Sequence, residues 1–167
     1  AGMRHEGAPF TGFLYAGLMI SRDGQVKVLE YNVRFGDPET QPIMLRLKSD
    51  LIEVIEAALD HRLDQIECQW DPRPAVGVVL AAQGYPGTVR KGDAIDGLSV
   101  TQLLGVKVFH AATRLVDGVP TTDGGRVLTV CALGDDLPSA RLLAYQRIDS
   151  IRWPGRFFRT DIGAKAL

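Results

Sequence analysis

Apolar and polar positions change their period along this chain, and each change marks a new element. Phe13 to Ile20 is an apolar, β-prone run, and Ser21-Arg22-Asp23-Gly24 after it is a turn signal. Val26 to Phe35 then reads as the return strand of a hairpin. An isolated hairpin is marginal in water, so this pair is expected to sit inside a larger sheet, part of it outside this sequence. Gly36-Asp37-Pro38-Glu39 ends the second strand. Pro42 suits the first turn of a short helix carrying Ile43, Leu45 and Leu47. Asp50 with Glu53 resembles a capping box. Leu51, Val54, Ile55, Ala58 and Leu59 then recur at helical spacing, predicting one buried stripe down to about Leu63.

Trp70-Asp71-Pro72-Arg73-Pro74 breaks any helix and marks the boundary, dividing the chain into residues 1–70 and 71–167. Beyond it, short strands alternate with turns. Ala75 to Ala82 is a near-continuous apolar strand, and Gly84-Tyr85-Pro86-Gly87 turns the chain. Lys107 to Phe109, Ala112 to Val116 and Val127 to Leu133 are further strands, with turns at Asp117-Gly118 and Asp123-Gly124-Gly125. Leu137 to about Ile148 reads as one amphipathic helix with Leu142, Leu143, Tyr145 and Ile148 as its apolar face. The class is α+β.

Composition narrows the setting. Hydrophobic residues make up 46% and charged residues 23% of the 167, which excludes wholesale disorder and a coiled coil. No apolar run reaches the ~18 residues of a spanning helix, so no membrane role is expected. Nineteen basic against twenty acidic residues leave a net charge of −1, giving no electrostatic case for nucleic acid. Cys68 and Cys131 have neither metal-ligand nor disulfide-framework spacing, which suits a reducing cytoplasm.

The strand from Val28 to Phe35 alternates sharply. Leu29, Tyr31, Val33 and Phe35 face one way; Glu30, Asn32 and Arg34 face the other. Residues two apart on a strand stand about 6.6 Å apart along it, so a carboxylate and an amide oxygen can both lean onto one hard cation. Arg34, one step further, presents a planar fork for a carboxylate or phosphoryl group. Asp37 and Glu39 follow at a Gly/Pro-constrained turn. A half-buried antiparallel strand with one solvated face alternates in the same way, so the residues alone leave both readings open.

The run Leu29-Glu30-Tyr31-Asn32-Val33-Arg34-Phe35-Gly36-Asp37-Pro38-Glu39-Thr40-Gln41 closely resembles the metal-binding signature of the phosphoribosylamine–glycine ligases, an ATP-grasp family. The segments Tyr15 to Ile20, Lys48 to Leu51, Ala81 to Gly87, Val108 to Ala111 and Gly124 to Leu128 resemble the same family, in order along essentially the whole chain. The resemblance implies the end of an ATP-grasp antiparallel sheet with helices, followed by a small β-rich module of rudimentary hybrid-motif type. It implies ligation of glycine to 5-phosphoribosylamine with ATP, in purine synthesis. Carried over, Glu30 and Asn32 would hold Mg²⁺ or Mn²⁺, and Arg34 would act as the catalytic cation. Asp37, Glu39 and the loop Gly84, Tyr85, Pro86 and Gly87 would touch substrate. The family's nucleotide lid and N-terminal part lie upstream of this hairpin, so the chain alone is expected to be inactive. Its whole enzyme is expected to be a monomer or weak dimer.

Other readings stand beside these. His110 reads as a packed histidine, Arg126 as a turn residue or phosphate contact, and Arg156, Arg159 and Lys165 as a solvated basic tail. Another ATP-grasp carboxylate–amine ligase, or a non-catalytic binding module, are the rival functions.

Overall fold

The computed structural model describes residues 2–100 and 103–166 and mixes helix with strand. Its elements fall into two units. One runs to Thr40 and takes in Leu47–Trp70; the other is Gln41–Arg46 with the chain from Asp71 onward. None of the described helices is long and apolar enough to cross a membrane.

In the first unit a short helix, Gly2–His5 (α1), precedes the hairpin of Tyr15–Ile20 (β1) and Val26–Asn32 (β2). These two strands form a sheet of their own. Both are shorter than the sequence pattern suggested, so Val33, Arg34 and Phe35 lie beyond the ladder in a bend. The antiparallel register is Tyr15↔Asn32, Ala16↔Tyr31 and Gly17↔Glu30, then Leu18↔Val28, which leaves Leu29 as an extra residue. Such a bulge shifts side-chain alternation by one position. The helix Leu51–Leu59 (α3) starts at Asp50, whose carboxylate accepts the Ile52 amide at 2.8 Å as an N-cap should. It ends at Leu59, short of the expected Leu63, and its stripe is half-buried at Leu51, Val54, Ile55 and Ala58 and exposed at Leu59. Ala57 is the one buried hydrophobic residue described in this unit, while Leu59 is 66% exposed.

The second unit holds the core. Ala75–Ala81 (β3), Val106–His110 (β4) and Arg126–Leu133 (β7) form an antiparallel sheet in the order β3-β7-β4. Between them lies a separate hairpin of Thr113–Val116 (β5) and Val119–Thr122 (β6). The sequence pattern missed β6, because a four-residue strand containing Pro120 carries too little alternation to register. The helix Leu137–Ile148 (α4) packs on β3 and β7, capped by Asp136, which accepts the Ser139 amide at 2.8 Å. Its buried face is Ala140, Ala144, Arg147 and Ile148, whereas Leu142 is 58% exposed. Of the expected apolar face, Ile148 is buried and Leu143 and Tyr145 pack against the core, so only Leu142 departs; the small residues Ala140 and Ala144 at i and i+4 bring the helix backbone close to the sheet.

The helix Thr40–Arg46 (α2) contributes Gln41–Arg46 to this unit, and its Pro42 approaches β3 at Gly77. A Cβ at Gly77 would stand 3.2 Å from Cys131 Sγ and 3.4 Å from Pro42 Cδ, so the missing side chain admits both. Buried Asp71 organises the chain here. Its carbonyl accepts Arg46 Nε and Nη2 at 3.1 and 3.0 Å, and its carboxylate holds Arg73 at 3.0 and 2.8 Å. Arg156, read from sequence as solvated, is half-buried and donates to the carbonyls of Ile148 and Ile151. Arg159 is exposed and paired with Asp161.

The buried Arg147 guanidinium donates through Nη2 to the Gly97 carbonyl at 3.0 Å and through Nη1 to the Ser150 hydroxyl. Gly97 sits at φ +82, and a Cβ there would overlap the Ser150 carbonyl oxygen. Gly97→Ala therefore combines a left-handed backbone penalty with a backbone clash. It should destabilise the chain by more than about 2 kcal/mol, read as a lower urea midpoint with unchanged slope.

Candidate functional site

The register of β1 against β2 gathers the first set of polar residues. Cross-strand partners share a face, so Tyr15, Gly17, Glu30 and Asn32 all point the same way. A Cβ at Gly17 would stand 3.1 Å from Glu30 Cγ; the glycine lets the Glu30 side chain lie across the neighbouring strand. There its carboxylate accepts Asn32 Nδ2 at 3.0 Å. Glu30 is exposed and Asn32 half-buried.

Glu39 joins from the turn after the strand. Its carboxylate lies over buried Gly36, where a Cβ would overlap it, and accepts the Tyr15 hydroxyl at 3.3 Å. The backbone beneath is fixed by Thr40, whose amide donates to the Gly36 carbonyl at 3.1 Å and whose hydroxyl donates to the same oxygen. Phe35 packs its ring on Phe13, with centroids 4.0 Å apart, anchoring the bend. The negative charge of Glu39 is the main cause that raises the Tyr15 phenol above its ordinary pKa, with Glu30 adding to it and Arg34 opposing. The phenol therefore stays protonated and a donor at neutral pH. Arg34 is exposed and donates Nη1 to the Phe35 carbonyl at 2.8 Å. Asp37 is exposed on the turn.

The structure thus brings Glu30 and Asn32 into contact and ties Glu39 to Tyr15. Sequence alternation had not marked Tyr15. Its signal was a position opposite Asn32, which the bulge at Leu29 hides from any count along one strand. Glu30 and Asn32 supply two hard oxygen donors suited to a small divalent cation. Among the described residues no group of three or more His, Cys, Asp or Glu gathers. Remaining positions on such a cation would fall to water and phosphate oxygens, which Mg²⁺ characteristically keeps.

The loop Gly84-Tyr85-Pro86-Gly87 belongs to the other unit. Gly84 sits at φ +93 with the Thr88 carbonyl oxygen where a Cβ would be, and the Gly87 amide donates to the Gly84 carbonyl at 2.8 Å. The Tyr85 ring lies against Gly125, and the Arg126 guanidinium stands 5.9 Å from its centroid. Nearby in the same unit, Asp123 pairs with Arg114 at 2.8 Å and Lys91 at 3.7 Å, and Arg114 holds its carboxyl below the usual range. His110 Nδ1 is 3.1 Å from the Thr113 hydroxyl, a local hydrogen bond.

Comparison with known proteins puts these residues in context. Residues 75–165 match the family model described as phosphoribosylglycinamide synthetase, C domain, and residues 1–40 match that of the ATP-grasp (A) domain. The chain is 56% identical over 166 residues to proteins named phosphoribosylamine–glycine ligase from Vibrio vulnificus and Pseudomonas aeruginosa. It covers 99% of its own length in each alignment but spans only 39% of those relatives. The solved phosphoribosylamine–glycine ligase of Thermotoga maritima superposes with a TM-score of 0.80 at 36% identity, over 96% of this chain and 39% of that one. The biotin carboxylase domain of Hydrogenobacter thermophilus 2-oxoglutarate carboxylase shares the fold alone, with a TM-score of 0.58 at 14% identity over 86% of this chain and 32% of that one.

Neither cysteine belongs to these clusters. Cys131 is fully buried in β7, and burial pushes its thiol up to about 12. Cys68 is half-buried. Only the thiolate attacks alkylating reagents. At pH 8 the native chain should therefore lose one thiol, Cys68, to iodoacetamide, and Cys131 should react only once urea unfolds the chain; peptide mapping of the alkylated sites checks this.

Proposed function

The chain belongs to the phosphoribosylglycinamide synthetase family, and from that premise we propose that the protein carrying it joins glycine to 5-phosphoribosylamine with ATP, as a step of purine biosynthesis. In this reading residues 1–70 finish an ATP-grasp domain and residues 71–167 form a C-terminal domain of rudimentary hybrid-motif type, with Gln41–Arg46 packed into the latter. The observation that carries it is the contact between Glu30 and Asn32 on one strand face, with Gly17 opposite Glu30.

The chemistry needs positioning and charge neutralisation more than covalent help from the protein. A glycine carboxylate oxygen attacks the γ-phosphorus of ATP and ADP departs, giving an acyl phosphate. The amine of 5-phosphoribosylamine then attacks the acyl carbon, and phosphate leaves as the amide forms. Glu30 and Asn32 would hold the divalent cation, Mg²⁺ or Mn²⁺, which supplies positive charge against the nucleotide phosphates. Arg34, at the end of the same strand, would accompany the charge as it moves from carboxylate to acyl phosphate. Asp37 and Glu39 would receive amino groups, and the loop Gly84 to Gly87, with Tyr85 beside Arg126, would meet the ribose phosphate. The partners in this reading are small molecules, and the setting is the cytoplasm.

The test is Glu30→Ala in the complete enzyme. Removing a charged group that acts on the transferring phosphoryl should lower metal-dependent kcat by about 10²–10³-fold. Glu30 is exposed, so the melting temperature should stay within about 2 °C of wild type. Near-wild-type turnover at ordinary Mg²⁺ would remove Glu30 from the site.

A further inference from the structure

Tyr15 has no part in the chemistry above, yet it stands at the meeting point of the polar groups. It lies directly opposite Asn32 in the ladder, and its hydroxyl reaches back across the hairpin to a carboxylate 24 positions later. That carboxylate is held from below as well, because Gly36 leaves open the volume it occupies. Glu39 is thus half-buried, held on one oxygen by a neutral donor and seated over a glycine, with no basic side chain paired to it among the described residues. Arg34 lies on the bend between Asn32 and Gly36.

We propose that Tyr15 is a positioning residue: its hydroxyl fixes the Glu39 carboxylate to receive the ammonium group of the amino-acid substrate, while Arg34 faces that substrate's carboxylate, a role that rests on the ligase reading above. A zwitterionic α-amino acid carries opposite charges a few bonds apart, and an anchored carboxylate and a guanidinium from one turn and its adjoining bend supply the complementary charges. A neutral phenol suits the task. A lysine in its place would neutralise Glu39 and compete with the incoming ammonium. An apolar residue would leave the carboxylate to swing into solvent. Gly36 and Tyr15 then act together, one admitting the carboxylate and the other orienting it.

The experiment is steady-state kinetics of the complete ligase, varying glycine at saturating ATP, Mg²⁺ and 5-phosphoribosylamine. Tyr15→Phe keeps the ring and removes the donor; loss of a hydrogen bond to a charged group should raise KM for glycine about tenfold. KM for ATP and the Mg²⁺ dependence should stay within about twofold. Glu39→Gln should raise KM for glycine at least as much. Adding Tyr15→Phe to it should change nothing further, since a residue acting through Glu39 has nothing left to position. Gly36→Ala, which displaces the same carboxylate by a separate route, should reproduce the glycine effect. An unchanged glycine KM in Tyr15→Phe overturns the inference, as does a full tenfold effect persisting in the Glu39→Gln background. A defect falling on Mg²⁺ instead of glycine would reassign Glu39 to the cation and also overturn it. Wild-type enzyme that does not consume glycine would sink the ligase reading itself, before any variant is compared.

Discussion

Strand β7 is the constraint around which the larger unit is arranged. It hydrogen-bonds to β3 on one side and β4 on the other, and from Val127 to Leu133 every residue is buried. A central strand covered on both faces cannot be half polar. One face takes α4, and on the other Pro42 of α2 approaches Gly77. Each cover is fitted by small residues. Ala140 and Ala144 let α4 settle onto Val78, Leu128 and Val130, and Gly77 admits Pro42 beside the Cys131 thiol. The loops that return to this core are tied by single bridges, Ala81 to Phe157 and Asp96 to Arg152. The buried Arg147 closes the turn at Gly97 with hydrogen bonds to carbonyls instead of a carboxylate partner.

The smaller unit is organised on the opposite principle. Its hairpin exposes Ile20, Val26, Leu29 and Val33, and its one buried hydrophobic side chain among the described residues is Ala57. What order the polar residues have comes from backbone geometry more than from packing. The bulge at Leu29 sets which side chains share the face of Tyr15. Gly17 and Gly36 then do for Glu30 and Glu39 what a cavity does for a core residue, leaving volume that a side chain can occupy in one orientation. Two glycines and one extra strand residue thus position three oxygen-bearing groups with little buried apolar surface.

Much of this was legible in the sequence, for reasons that differ by element. The near-continuous apolar strand Ala75 to Ala82 and the polar set Glu30, Asn32 and Glu39 could be read because period-two alternation and local density are properties of single segments. The capping carboxylate of Asp50 was legible for the same reason. What escaped depends on partners distant along the chain. In α4 the pattern found Leu143, Tyr145 and Ile148 but not Ala140 and Ala144, whose value lies in how close they let the helix approach. Arg156 looked like tail charge because nothing local says that carbonyls of Ile148 and Ile151 await it. The place of Gln41–Arg46 in the second unit likewise goes with Pro42 meeting Gly77 and Arg46 meeting Asp71, contacts no pattern within either segment announces. Tyr15 escaped because its significance lies in cross-strand register, and a bulge changes register without changing any residue near it.

The charges at the site show why its neutral donors matter as much as its ions. Glu30 and Glu39 contribute two negative charges and Arg34 one positive, so this set is left anionic before any ligand arrives. An anionic set repels nucleotide phosphates unless a cation intervenes, and it attracts ammonium groups. Were Glu30 and Glu39 each paired internally with lysine or arginine, both attractions would vanish, since a satisfied ion pair presents little field to a ligand. The observed partners are instead an amide and a phenol. Such donors fix direction while leaving the charge unspent. Each carboxylate is therefore pre-oriented yet electrostatically available, the arrangement that the proposed site requires if its charge is to select what binds and its geometry how.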